Sequence, residues 1–83
     1  MYKLRYSTAV EAVWDALPDE AREELDAAIL GVCEDPYAAT EPHSDSEPHR
    51  RVLTLRHTAV ACVVIDGPPG VRRIRIHSID YLG

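Results

Sequence analysis

Val71-Arg72-Arg73-Ile74-Arg75-Ile76-His77-Ser78-Ile79-Asp80-Tyr81 alternates with a period of two, and its reading decides the fold. As a strand it sends Arg72, Ile74, Ile76 and Ser78 to one face and Val71, Arg73, Arg75, His77, Ile79 and Tyr81 to the other. Ile74 and Ile76 then have a core to point at. Arg73, Arg75 and His77, with Tyr81 beyond them, form a cationic row that ends in a titratable ring. The row suits gripping a phosphate and moving a proton; its bland alternative is a solvated sheet face.

Upstream, Gly67-Pro68-Pro69-Gly70 reads as a turn, Thr58 to Asp66 as a nearly continuous apolar central strand, and Arg50 to Arg56 as an alternating strand around Leu53 and Leu55. The three make an antiparallel meander. Pro36 to Pro48 carries three prolines and no periodicity, so it is expected to be a long loop.

Near the start, Tyr2-Lys3-Leu4-Arg5-Tyr6 alternates as a short strand. Thr8 with Glu11 forms a candidate capping box, and Val10, Val13, Trp14 and Leu17 then give one helical stripe over about 9–17. Pro18 opens a second helix whose apolar positions are Ala21, Leu25, Ala28, Ile29, Val32 and Cys33, and Pro36 stops it near Asp35. Glu20, Glu23, Glu24 and Asp26 form its wet side. The expected fold is α+β over a single domain, residues 1–83: an N-terminal strand, a helical hairpin, and a three-stranded meander, with the helices on one sheet face.

Composition bounds the function. At 46% hydrophobic and 28% charged residues the chain is an ordinary globular sequence, and no apolar run approaches the ~20 residues of a membrane span. With no basic-then-apolar leader pattern, the cytoplasm is the default location. Cys33 and Cys62 are expected as buried free thiols rather than a disulfide. The net charge of −5 is unevenly spread: residues 1–48 hold twelve acidic side chains against three basic ones, a balance of −9, whereas residues 49–83 hold six arginines against two aspartates, a balance of +4. Such asymmetry hints at a polyanion partner for the basic half.

Gripping a phosphate and moving a proton need cations for the phosphate oxygens and a titratable group for the proton. His77 is the candidate acid or base, Arg73 and Arg75 the phosphate forks, and Tyr81 a stacking platform or second acid. Arg51, Arg56 and Arg72 are further candidate cations for a polyanion such as RNA. His43, His49 and His57 lack zinc-like spacing, so no metal or cofactor is expected.

Taken in order, Tyr2-Lys3-Leu4-Arg5-Tyr6-Ser7, Leu17-Pro18, Asp35-Pro36, Arg51-Val52-Leu53-Thr54-Leu55, Val63-Val64-Ile65-Asp66 and Ile74-Arg75-Ile76-His77 resemble the RelE/ParE superfamily of bacterial toxins. The resemblance implies a toxin of a type II toxin–antitoxin pair, bound by a cognate antitoxin and acting as a RelE-like mRNA endonuclease on the ribosome. Its alternative is a non-nuclease of the same fold: a ParE-like inhibitor of DNA gyrase, or a degenerate toxin that still binds an antitoxin. A homodimer and a toxin–antitoxin hetero-oligomer are the assemblies open to it. His77 beside Arg73 and Arg75 favours the nuclease; the acidic balance and the lack of a central-strand arginine favour the alternative.

Overall fold

The computed structural model describes residues 1–83. β1 (Lys3–Tyr6) leads into α1 (Thr8–Asp15) and α2 (Asp19–Glu34), followed by the one-turn helix α3 (Pro36–Ala39), β2 (Glu41–Ser44), β3 (Glu47–Thr54), β4 (Thr58–Gly67) and β5 (Val71–Tyr81). All five strands form one sheet in the order β1-β5-β4-β3-β2. β1 runs parallel to β5, and every other pair is antiparallel. This is the expected α+β arrangement with one strand more in the meander.

The extra strand corrects the reading of residues 36–48 as a loop. Pro36 sits at the first position of α3, where its missing N–H costs no bond, and the Asp35 carboxylate accepts from the Ala38 N–H at 3.2 Å to cap the turn. Pro42 is tolerated in β2 because β2 is a sheet edge, where a strand can lack a donor. Prolines that look like breaks in a sequence are here compatible with a capped helical start and an edge strand.

The first helix is capped by Ser7 rather than Thr8. The Ser7 hydroxyl accepts from the Val10 N–H at 3.2 Å, so Thr8 is already the first helical residue and the Thr8–Glu11 box is not the cap. Val10 and Leu17 are buried and Trp14 is half-buried, but Val13 lies exposed on the outer side. The hairpin is tied by two contacts across Pro18: Trp14 Nε1 donates to Asp26 at 2.8 Å, and Arg22 joins the Asp15 carbonyl at 3.1 Å to the Asp19 carboxylate at 2.7 Å.

Ala21, Leu25, Ile29 and Val32 of α2 bury the i, i+4 stripe against Leu53, Val60, Cys62, Ile74, Ile76 and Ile79 of the sheet. Burying side chains of this size contributes about 1.5–3 kcal/mol each before chain entropy is counted. Cys33 and Cys62 are separate free thiols, and burial raises the pKa of both. Gly70, at φ +76°, supplies the left-handed residue that turns β4 into β5. No helix is long and apolar enough to cross a membrane.

Candidate nucleic-acid interface

With the helices on one side, the sheet's other face is open, and strand register fixes what it carries. Lys3 and Arg5 of β1 lie beside Arg73 and Arg75 of β5, because residues in register share a face. On the far side of β5, Arg75 is opposite Val63 and Arg73 opposite Ile65 in β4, while Arg50 of β3 is opposite Val63. The open face is thus a strip of Ala59, Ala61, Val63 and Ile65 with four cations on one flank and Arg50 on the other. Lys3, Arg5, Arg73 and Arg75 make no ion pair; only Arg5 makes a side-chain hydrogen bond, to the adjacent Leu4 carbonyl. A solvent-open recess of about 300 Å³ lies among Arg5, Tyr6, Ile65, Arg73 and Arg75.

The alternation of β5 does not survive to its end. Ala61 is paired with Ser78 but Cys62 with Ile76, so His77 is an extra residue with no partner across the ladder. Such a bulge shifts the phase of everything after it. Ile79, expected on the open face, is therefore a core residue at 7% exposure, opposite the buried Val60. Tyr81 follows it: paired with the fully buried Thr58, it stands on the helix side of the sheet, half exposed, and away from Arg73 and Arg75. Asp80 takes the open-face position instead, opposite Ala59.

The candidate RNA-binding arginines are scattered. Arg51 is opposite Cys62 and points under the helices, 8% exposed, so it is not available to a nucleic acid. Its Nε donates to Thr40 Oγ1 at 2.9 Å, and its terminal nitrogens donate to the carbonyls of Thr40 (2.7 Å), Tyr37 (3.1 Å) and Pro48 (3.3 Å), with the guanidinium 5.2 Å from the Tyr37 ring centre. Carbonyl oxygens rather than a carboxylate satisfy this charge, and in doing so they pin α3 and the start of β2. Arg72 shares the helix-side phase of Ile74 and lies over the Tyr2 ring at 5.8 Å. Arg56 stands at the β3–β4 turn, its backbone N–H on the Glu24 carboxylate at 3.3 Å.

Lys3, Arg5, Arg50 and His43 were absent from the expected site. The period-two reading of β1 did place Lys3 and Arg5 opposite Leu4, but only the parallel pairing with β5 brings them to Arg73. His43 lay hidden in the proline-rich segment. In the structure His43, Arg50, Ala61, Val63 and His77 line a second depression, about 120 Å³, on the open face. Arg50 is held there by Glu47 at 3.5 Å.

On the helix side, Asp66 accepts from the Tyr2 hydroxyl at 2.7 Å and the Tyr37 hydroxyl at 3.1 Å. The Tyr2 phenol is pushed up first by that hydrogen bond, the Tyr37 phenol first by burial and then by the same bond. The acidic side chains of α2 also belong to the helix layer, so the molecule is electrically two-sided and presents a cationic cluster to a polyanion from one direction. No three His, Cys, Asp or Glu side chains converge as a metal site would require.

An open-faced mixed sheet backed by a helical hairpin is the architecture of the RelE-like toxins, and the chain has that fold. Among solved structures it is similar to the E. coli toxin RelE in the free state, a variant with two arginines replaced by alanine: TM-score 0.71, 23% identity, covering 94% of this chain and 80% of that one. At that identity the likeness is one of fold. No family model matches the sequence. No curated protein matches it either.

Proposed function

We propose that residues 1–83 form the toxin of a toxin–antitoxin pair, an mRNA endonuclease that works on the ribosome in the cytoplasm and is silenced by a cognate antitoxin. The carrying observation is the group Lys3, Arg5, Arg73 and Arg75, four neighbouring cations of the open face without a carboxylate partner, of which Arg5, Arg73 and Arg75 line one recess. Arginine forks match phosphate oxygens in two-point contacts, and side chains two apart on a strand recur every ~6.7 Å, so the row can engage a backbone at more than one phosphate. The solved RelE variant has alanine for two arginines spaced two apart, the spacing of Arg73 and Arg75 in this chain. In this reading His77, bulged out of the ladder two residues from Arg75, exchanges a proton with the ribose or the leaving oxygen.

A second reading is a non-nuclease of the same fold, either a gyrase inhibitor or a module that only binds an antitoxin. Tyr81 standing on the opposite face from the arginines, and the apolar strip Ala59-Ala61-Val63-Ile65 between the cations, favour it. Induction of the protein in translating cells separates the two. New mRNA ends within codons are the expected outcome; growth arrest with intact transcripts and DNA damage would instead establish the gyrase reading, and unaffected growth the antitoxin-binding one.

A further inference from the structure

We propose that His43 and His77 act together as a general acid–base pair on a single-stranded RNA phosphodiester whose phosphate is held by Arg50. The inference rests on the nuclease reading and deepens it, by giving His77 the second proton-transfer group that a one-histidine site lacks.

The four histidines divide into two kinds. His49 is bonded through Nδ1 to the Tyr37 hydroxyl at 2.9 Å, and His57 through Nδ1 to the Gly83 carbonyl at 3.1 Å with Glu20 at 3.8 Å from Nε2. His43 and His77 have no such partner, both are exposed, and both line the 120 Å³ depression with Arg50. They come from opposite sides of the sheet, β2 and β5, and the small side chains Ala61 and Val63 between them leave room for a bound group.

The two register breaks of the sheet fall at these residues. One leaves His77 unpaired between Ile76 and Ser78. At the other, pairing jumps from Pro42–Arg51 to Ser44–Glu47, so His43 alone faces Pro48, His49 and Arg50. Bulges re-aim side chains and gather beside active sites. Pro48, which has no N–H to give the ladder, is a local reason for the second break. Glu47 at 3.5 Å orients Arg50 without burying it.

The chemistry balances with these groups alone. The neutral imidazole of one histidine takes the 2′-hydroxyl proton as the 2′-oxygen bonds to phosphorus. The bond from phosphorus to the 5′-oxygen breaks with its electron pair on that oxygen, which receives the proton of the other histidine's imidazolium. A 2′,3′-cyclic phosphate and a free 5′-hydroxyl result, nothing is oxidised or reduced, and the histidines exchange protons with water to reset. The charged or titratable groups placed around the pair are Glu41 on β2, Glu47, Arg50 and Arg51 on β3, Cys62 on β4, and Arg75 and Asp80 on β5.

The test uses the full chain with mRNA-programmed ribosomes and compares the parent with H43Q, H77Q and the double variant. Each single variant should cleave about 10²–10⁴-fold more slowly, and the double little worse than either single, since paired catalytic groups act as a unit. The parent's bell-shaped pH–rate profile should lose one limb in each single variant. An mRNA with sulfur in place of the bridging 5′-oxygen at the cut site has a leaving thiol that ionises near pH ~8.5 and needs no acid. It should restore cleavage in one single variant only, identifying the acid. Urea unfolding of the variants should match the parent, because both rings are exposed. Cleavage by the parent with H43Q within threefold of it, or sulfur rescue of both variants or neither, would overturn the pair while leaving the nuclease reading standing. A parent that makes no cuts sinks both.

Discussion

The two faces of the sheet use the same side chain for opposite ends. Arg51, on the helix-covered face, is enclosed and spends its donors on Thr40 Oγ1 and three backbone carbonyls. Arg73 and Arg75, on the open face, have no carboxylate or carbonyl partner at all. An arginine that has used its donors holds a fold together; one that has not is available to a ligand. Charge counted along the sequence cannot separate the two, because Arg51 and Arg75 both sit in alternating, strand-like stretches.

The comparison can be broken most directly by removing the free cations. Arg73→Ala with Arg75→Ala should lower cleavage by about 10²–10³-fold or more, and should flatten the salt dependence of RNA binding by roughly 0.7 log units per lost phosphate contact. Urea unfolding of that variant, followed by the single tryptophan, should stay within ~0.5 kcal/mol of the parent. The reverse holds for Arg51→Ala. Leaving the Tyr37, Thr40 and Pro48 carbonyls and the Thr40 hydroxyl without their donor should cost about 3 kcal/mol of unfolding free energy in the same assay.

Smaller effects sharpen the contrast. Thr58, fully buried beneath the helices, has a hydroxyl with no partner, so Thr58→Val should raise stability by about 1 kcal/mol. Tyr2 and Tyr37 have phenols raised above their ordinary value of 10.0, so the folded state favours their neutral form. Their contribution to stability is present below pH ~10 and is lost as pH rises through the raised values. Asp66→Ala should lower the pH at which tyrosinate absorbance appears, at a cost below about 1 kcal/mol. Tyr81→Phe should be nearly silent, with cleavage within about twofold of the parent, because the bulge has turned that ring away from the arginines.

Much of this frame was legible from residue patterns. The stripe Ala21, Leu25, Ile29 and Val32 and the pair Ile74 and Ile76 read correctly because burial imposes a period that side chains must obey. The alternation of β5 is legible up to His77 and fails after it. A single unpaired residue inverts the phase of a strand, and no local propensity in His77-Ser78-Ile79 announces it. Lys3 and Arg5 are not legible as part of the cluster for another reason: parallel pairing of β1 with β5 is a long-range fact. His43 is hidden because Pro36, Pro42 and Pro48 mask the edge strand that carries it.

That pairing of first strand with last has a consequence in time. Lys3 and Arg5 are made well before Arg73 and Arg75, so half of the cationic cluster waits for the other half. Until β5 emerges, β1 has no strand to lie against, and no stretch of unfinished chain carries all four charges in register. For a protein proposed to attack the translating ribosome, the order of synthesis would act as a safety catch, because the four charges come into register only once β5 has been made and has paired with β1.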